Sequence, residues 1–278
     1  MNNMKEKSHV TIAWTTAQID AVVKDLANLR LTVDLDLVPR YPYFGRKIYP
    51  LGRCKEIRDA VFAELQTQLQ QPKGEGIALI RDALDKGAVL KKIWGDLRGV
   101  YFQNAMTLGE WYLDVSNDTV NPNKPRVEVL PLAESGFSHI SSFEQFVKVA
   151  QMYWGVEVYR NDVCPALAPF MPMVYVRDDG VSWVGEANDD MLAMTMANEF
   201  LAAERILSTL PPPPKTLLQQ WQTVLSGVPH NEFLHGQGDA IDYCQHYRAQ
   251  QYHVGSRVRD SAVMAYLALP RGIDYAQQ

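Results

Sequence analysis

Cys54 is the residue whose type and setting lend themselves most directly to covalent chemistry. It follows a loop rich in aromatics and glycine and stands where the apolar spacing predicts a helix to begin. A thiol at a helix N-terminus feels the positive end of the helix dipole, which favours the nucleophilic thiolate. Arg53 and Lys55 add positive charge on either side. Thiol hydrolases and acyltransferases use this placement, with an imidazole base brought in from elsewhere in the fold. His139, His230 and His235 are the histidines available for that role. The plain alternative is a small apolar residue packed in a helix's first turn, where free cysteines are often buried.

A second candidate lies near the C-terminus. His230, His235, His246 and His253 fall close together with Asp239, Asp242 and Cys244 among them. Asp242 and His246 are four residues apart and share one face of an expected helix. Imidazole and carboxylate suit zinc or iron, so His230, His235, Asp242 and His246 are candidate metal ligands. No His-Glu-x-x-His pattern accompanies them, and histidines in a loop-rich segment need not bind anything. Acidic and amide residues also gather at Asn117-Asp118, Asp178-Asp179 and Asn188-Asp189-Asp190, where turns and helix caps already account for them. No phosphate-cradling glycine loop, Walker pattern or nucleophile elbow occurs, and nothing implies a particular cofactor.

The third candidate is non-covalent. Residues 41–49 read YPYFGRKIY. Tyr41, Tyr43 and Phe44 with Arg46 and Lys47 on an irregular loop suit recognition of a protein or a small polar ligand. Equally, such rings can cover the core beneath a long loop.

Composition limits the setting for these groups. In 278 residues, 47% are hydrophobic and 10% aromatic, and the net charge is only −5. That is a folded chain rather than a disordered one. The pI near 5.7 argues against a broad nucleic-acid footprint. Three scattered cysteines without a C-x-x-C pair imply free thiols and a reducing, cytoplasmic setting. No apolar leader and no bilayer-length run is apparent, so no membrane association is expected.

The elements that must position these groups read as α+β: antiparallel hairpins packed on several amphipathic helices, with a mainly helical C-terminal part. A short strand is expected over 9–14, then a helix capped by Thr15 or Thr16. Leu31, Val33, Leu35 and Leu37 alternate with polar residues and predict a strand. A helix from Cys54 carries Ile57, Val61, Phe62, Leu65 and Leu69, and a second helical region runs over 77–106, bent at its glycines. Trp111, Leu113 and Val115 predict a strand that pairs with Val127 and Val129 across a long loop. Ser141 and Glu144 match a capping box. Met173–Arg177 and Val181–Gly185 flank Asp178-Asp179-Gly180, a hairpin signal. A long helix capped by Asn188 or Asp189 then reaches Leu210. The four prolines from Pro211 to Pro214 form a stiff spacer and set the expected division: a main domain over 1–210 and a helical appendage over 211–278.

Two functions follow from this reading. One is a binding or assembly protein that uses the aromatic loop 41–53. The alternative is a thiol-dependent hydrolase or acyltransferase with Cys54 as nucleophile and His139, His230 or His235 as base.

Overall fold

The computed structural model describes residues 11–185 and 188–274. The fold is α+β, with antiparallel sheets packed with helices that include several in the C-terminal part. Its contacts divide the chain into two compact units, Met1–His139 and Ile140–Gln278. Among the described residues no helix is long and apolar enough to cross a membrane.

The first unit opens with α1 (Thr16–Arg40). Thr15 caps it: its hydroxyl accepts from Gln18 N while Gln18 returns a bond to the Thr15 backbone. The strand expected at 9–14 is not formed over its described residues 11–14. Nor is there a strand at Leu31–Leu37. The helix continues through it, because Leu26, Leu29, Arg30, Val33 and Leu37 already form a buried stripe at helical spacing. Leu31 and Leu35, placed inward by the alternating pattern, are instead exposed. A small hairpin, β1 (Tyr43–Phe44) and β2 (Lys47–Ile48), leads to α2 (Cys54–Gln68) and α3 (Glu75–Asp85). Helix α3 crosses α1 closely at Gly76. A Cβ there would lie 2.3 Å from Ala21 O and 2.6 Å from Val22 Cα.

The helix expected over 77–106 ends at Asp85, and a β-hairpin follows: β3 (Leu90–Leu97) and β4 (Tyr101–Leu108). Of the glycines read as bends, Gly87 and Gly99 lie at chain reversals, whereas Gly95 lies within β3. Gly87 has φ 100°, while Arg98 and Gly99 both have positive φ, 62° and 70°, as a tight hairpin turn requires. Next come β5 (Trp111–Asp114), a single 3-10 turn at Asn117–Thr119, β6 (Glu128–Pro131), the short α4 (Leu132–Ser135) and β7 (Phe137–Ser138). Strand order is β6-β5-β4-β3-β7, antiparallel throughout. One sheet face, with Met106, Leu108, Trp111 and Leu113, packs on the stripes of α1, α2 and α3. On the other face Ile93, Leu97, Ala105 and Tyr112 are covered by Leu130, Leu132 and Phe137, as the chain passes from one sheet edge to the other.

The second unit starts with α5 (Phe143–Trp154). Its cap is Ser142, accepting from Gln145 N, one residue beyond the expected Ser141; Gln145 Oε1 in turn accepts from Ser141 N. Strands β8 (Val156–Arg160), β9 (Met173–Arg177) and β10 (Val181–Gly185) follow, the last two joined by the Asp-Asp-Gly turn. Asn188 caps α6 (Asp189–Ala197). The single helix expected to Leu210 is broken by Glu199 and Phe200 at φ 53° and 64°, after which α7 (Leu201–Thr209) begins. Phe200 is thereby turned fully into the core.

Beyond the prolines lie α8 (Lys215–Ser226), α9 (Glu232–His235), α10 (Ala240–Ala249), α11 (Arg257–Leu267) and the edge strand β11 (Ile273–Asp274), giving sheet order β11-β10-β9-β8. The Pro211–Pro214 run lies inside the second unit rather than at the division of the chain. The segment after it is built into that unit. Trp221 is 0% exposed and donates to Ser182 Oγ at 3.1 Å, and Tyr247 donates to Ala166 O at 2.8 Å. Burial of whole aromatic rings, with their polar atoms bonded, makes these helices part of the core.

Candidate functional site

Residues 41–53 form a short, braced projection. Tyr43 pairs with Ile48 and Phe44 with Lys47, and Gly45 takes φ 59° at the first position of the two-residue turn. Tyr43, Phe44 and Ile48 are 62%, 51% and 66% exposed, and Arg46 and Lys47 are exposed beside them. The base is tied down at several points. The Arg53 guanidinium stands 4.9 Å from the Tyr41 ring centre and 5.0 Å from that of Phe44, within cation–π range. It also donates to Tyr43 O and to Glu56. The Tyr49 hydroxyl donates to Asp34 on α1, and burial pushes its pKa above the ordinary phenol value. Gly52 N donates to Thr119 O at 3.0 Å. Thus Tyr41, Tyr43 and Phe44 do gather in one place, around an arginine that the sequence reading assigned only to Cys54.

A second exposed row accompanies the hairpin. Leu31, Leu35 and Val38 are 51%, 78% and 45% exposed at i, i+4 and i+7 of α1, whose C-terminus runs into β1. The alternating pattern concealed this row, because it assigned two of the three to a buried strand face.

Cys54 does begin α2, yet its chemistry differs from the thiolate expected there. The residue as a whole is only half-buried, but its thiol is packed round by protein. That burial pushes the thiol pKa up, with the Asp114 and Glu56 carboxylates adding to the rise and the Asn104 hydrogen bond opposing it. Desolvation of the anion outweighs the helix dipole. Its hydrogen-bond partner among the described residues is Asn104 Nδ2 at 3.3 Å, not an imidazole. Alkylation of Cys54 by iodoacetamide near neutral pH is expected to be roughly tenfold or more slower than in the unfolded chain, since the thiolate is the reacting form. Peptide-resolved mass spectrometry checks this; equal rates would remove the claim of a suppressed thiol, and only a rate above that of the unfolded chain would support the nucleophile reading.

The proposed bases are engaged elsewhere. His139 meets the Phe137 ring edge-on, with centres 5.4 Å apart. His235 belongs to the second unit, where Nδ1 accepts from Asn231 N at 3.1 Å and Nε2 lies 3.0 Å from Leu225 O.

Among the described residues no three His, Cys, Asp or Glu side chains come together to hold an ion. His230 lies against the His235 ring, with centres 5.1 Å apart, while His246 contacts the Tyr247 and Tyr252 rings. Asp242 and His246 share an exposed face of α10, as their spacing requires, with no third candidate ligand beside them among the described residues. The acidic loops do structural work: Asp118 receives Arg30, Asp179 receives Arg177, and Asn188 caps α6.

These histidines instead line an open cavity of about 670 Å³ within the second unit, together with Glu232, Tyr243, Tyr247, Tyr252 and Arg257. No family model, curated protein or solved structure matches this chain.

Proposed function

We propose that the protein acts by binding a protein partner through the 41–53 hairpin and the exposed row on α1. The observation that carries this reading is an apolar projection held rigid from below. Tyr43, Phe44 and Ile48 stay in solvent while Arg53, Tyr49 and Gly52 anchor the loop that bears them. Clustered exposure of large apolar residues marks interaction surfaces. A braced loop loses little conformational entropy on docking, and each apolar side chain it buries contributes about 1.5–3 kcal/mol. Exposed Arg46 and Lys47 at the tip favour a partner with an acidic rim.

Placing a photo-crosslinking amino acid at Tyr43 or Ile48 is expected to capture a protein on irradiation in the producing cell. The same group at Met264, equally exposed at 67%, is expected to capture none. The double variant Tyr43→Ala/Ile48→Ala is expected to stay within about 0.5 kcal/mol of parent stability, as surface changes do, while losing the captured partner on co-purification. Equal labelling at Tyr43 and Met264, or co-purification that survives the double variant, would overturn the reading. The thiol at Cys54 supports a nucleophile less well: burial raises its pKa despite the Asn104 hydrogen bond, and its hydrogen-bond partner among the described residues is that amide rather than an imidazole.

A further inference from the structure

The cavity in the second unit has an aromatic side and two formal charges of opposite sign. Its aromatic side is formed by Phe233, Tyr243, Tyr247 and Tyr252. Tyr247 and Tyr252 lie 5.1 Å apart centre to centre, and Tyr243 meets Tyr247 at 5.8 Å and 71°. These rings are fixed before any ligand arrives. Tyr243 donates to Gln237 O at 3.0 Å, Tyr247 donates to Ala166 O, and His235 spends both ring nitrogens on backbone groups. Gly236 lets the loop after α9 close onto this wall, since a Cβ there would lie 2.7 Å from both Ala166 Cβ and the Tyr243 hydroxyl.

Two formal charges line the same space, Arg257 and Glu232. Among the described residues neither side chain makes a hydrogen bond or an ion pair: Arg257 meets no carboxylate and Glu232 no cation. Every other arginine of α10 and α11 is paired, Arg248 with Glu204 and Arg259 with Asp260. A purely anionic ligand would find Arg257 but meet Glu232. A purely cationic ligand would find Glu232 and the tyrosine faces but meet Arg257. A molecule bearing both charges satisfies both. The volume falls in the range of small-molecule pockets, whose apolar walls and few polar groups set orientation.

We infer that this cavity binds a small zwitterion with an aromatic body, an aromatic α-amino acid or a short peptide carrying one. Its carboxylate is received by the Arg257 guanidinium, its ammonium by the Glu232 carboxylate, and its ring by the tyrosine wall. Guanidinium and carboxylate match as a two-pronged pair, and ammonium beside tyrosine gains cation–π attraction.

Titration calorimetry on the full chain near neutral pH tests this with four probes: L-phenylalanine, the dipeptide L-phenylalanyl-L-phenylalanine, 3-phenylpropionate and phenethylamine. At least one zwitterion is expected to bind about tenfold or more tightly than either singly charged analogue, the worth of one charge-assisted hydrogen bond. Arg257→Gln and Glu232→Gln are each expected to weaken the zwitterion by about tenfold or more on the same grounds. Glu232→Gln is also expected to narrow the preference over 3-phenylpropionate. Both positions are exposed, so circular dichroism should show parent-like folding. Absence of binding by both zwitterions, a singly charged analogue binding as tightly, or variants with unchanged affinity would each overturn the inference.

Discussion

Arg30→Met is expected to destabilise the first unit by about 3–5 kcal/mol, the cost of leaving buried charge without its partner. Arg30 is wholly buried in α1. Its Nε lies 2.6 Å from Asp34, and its Nη1 lies 2.9 Å from both Asp118 and Val115 O. One guanidinium therefore ties the helix to the end of β5 and to the turn after it. Removing it leaves the carboxylates of Asp34 and Asp118 facing each other's charge. The remaining cation, half-exposed Arg126, is farther off at 3.7 and 3.9 Å. Adding Asp34→Asn and Asp118→Asn to the variant is expected to recover part of the loss, because the charges and not the contacts are what cost most. Denaturant unfolding of the full chain, with hydrogen exchange to localise the change to α1, reads both effects. A loss below about 1 kcal/mol, the scale of an exposed pair, would show that the network is effectively solvated. The same variant links stability to the proposed docking element. Asp34 also receives the Tyr49 hydroxyl, so faster exchange over 41–53 should accompany the loss.

The second large effect is a dependence on pH carried by Asp114. Burial pushes its pKa up to about 6, against hydrogen bonds from Gln103, Ser116 and Tyr112 that favour the charged form. An unfolded aspartate titrates at about 3.9. The folded chain therefore holds this proton more tightly than the unfolded chain. The resulting stabilisation is complete below about pH 4 and is lost as the pH rises through 6, which amounts to about 3 kcal/mol. Asp59 works the other way. Lys55, Lys92 and Arg58 hold its pKa down at about 2, against its own desolvation, so its contribution is lost as the pH falls from about 4 toward 2. The Asp114 effect is best isolated as the stability difference between parent and Asp114→Asn, expected to change by about 3 kcal/mol between acid and neutral pH. Carboxyl carbon NMR should place the Asp114 titration near 6. A titration near the ordinary carboxylate value, or a pH-independent difference, would remove the claim. Gln103 adds a structural reason for the site's sensitivity: it is 0% exposed and its Oε1 has no hydrogen-bond partner among the described residues.

What the sequence determined by itself is local. A cap at Thr15 or Thr16, another at Asn188 or Asp189, the Asp-Asp-Gly turn and the helix start at Cys54 all declare themselves, because a cap or a tight turn is satisfied within a few residues. The α+β class follows from the sum of such signals. Tertiary structure decided the rest. Leu31 to Leu37 carry two periods at once, and only the sheet packed against Arg30, Val33 and Leu37 selects the helix. Residues 90–106 fit a helix until Arg98 and Gly99 are seen reversing the chain at positive φ. Asp114 reads as the outward member of a half-buried strand; it is inside because the chain from β6 to β7 crosses that face of the sheet. Cys54 likewise shows its helix start but not its buried thiol, which depends on Asn104 fifty residues away in sequence. The histidines fall together in the sequence, and only the packing of α9, α10 and α11 makes His230, His235 and His246 part of the lining of one cavity. Local backbone chemistry is written in neighbouring residues, whereas desolvation is set by whatever the rest of the chain lays on top.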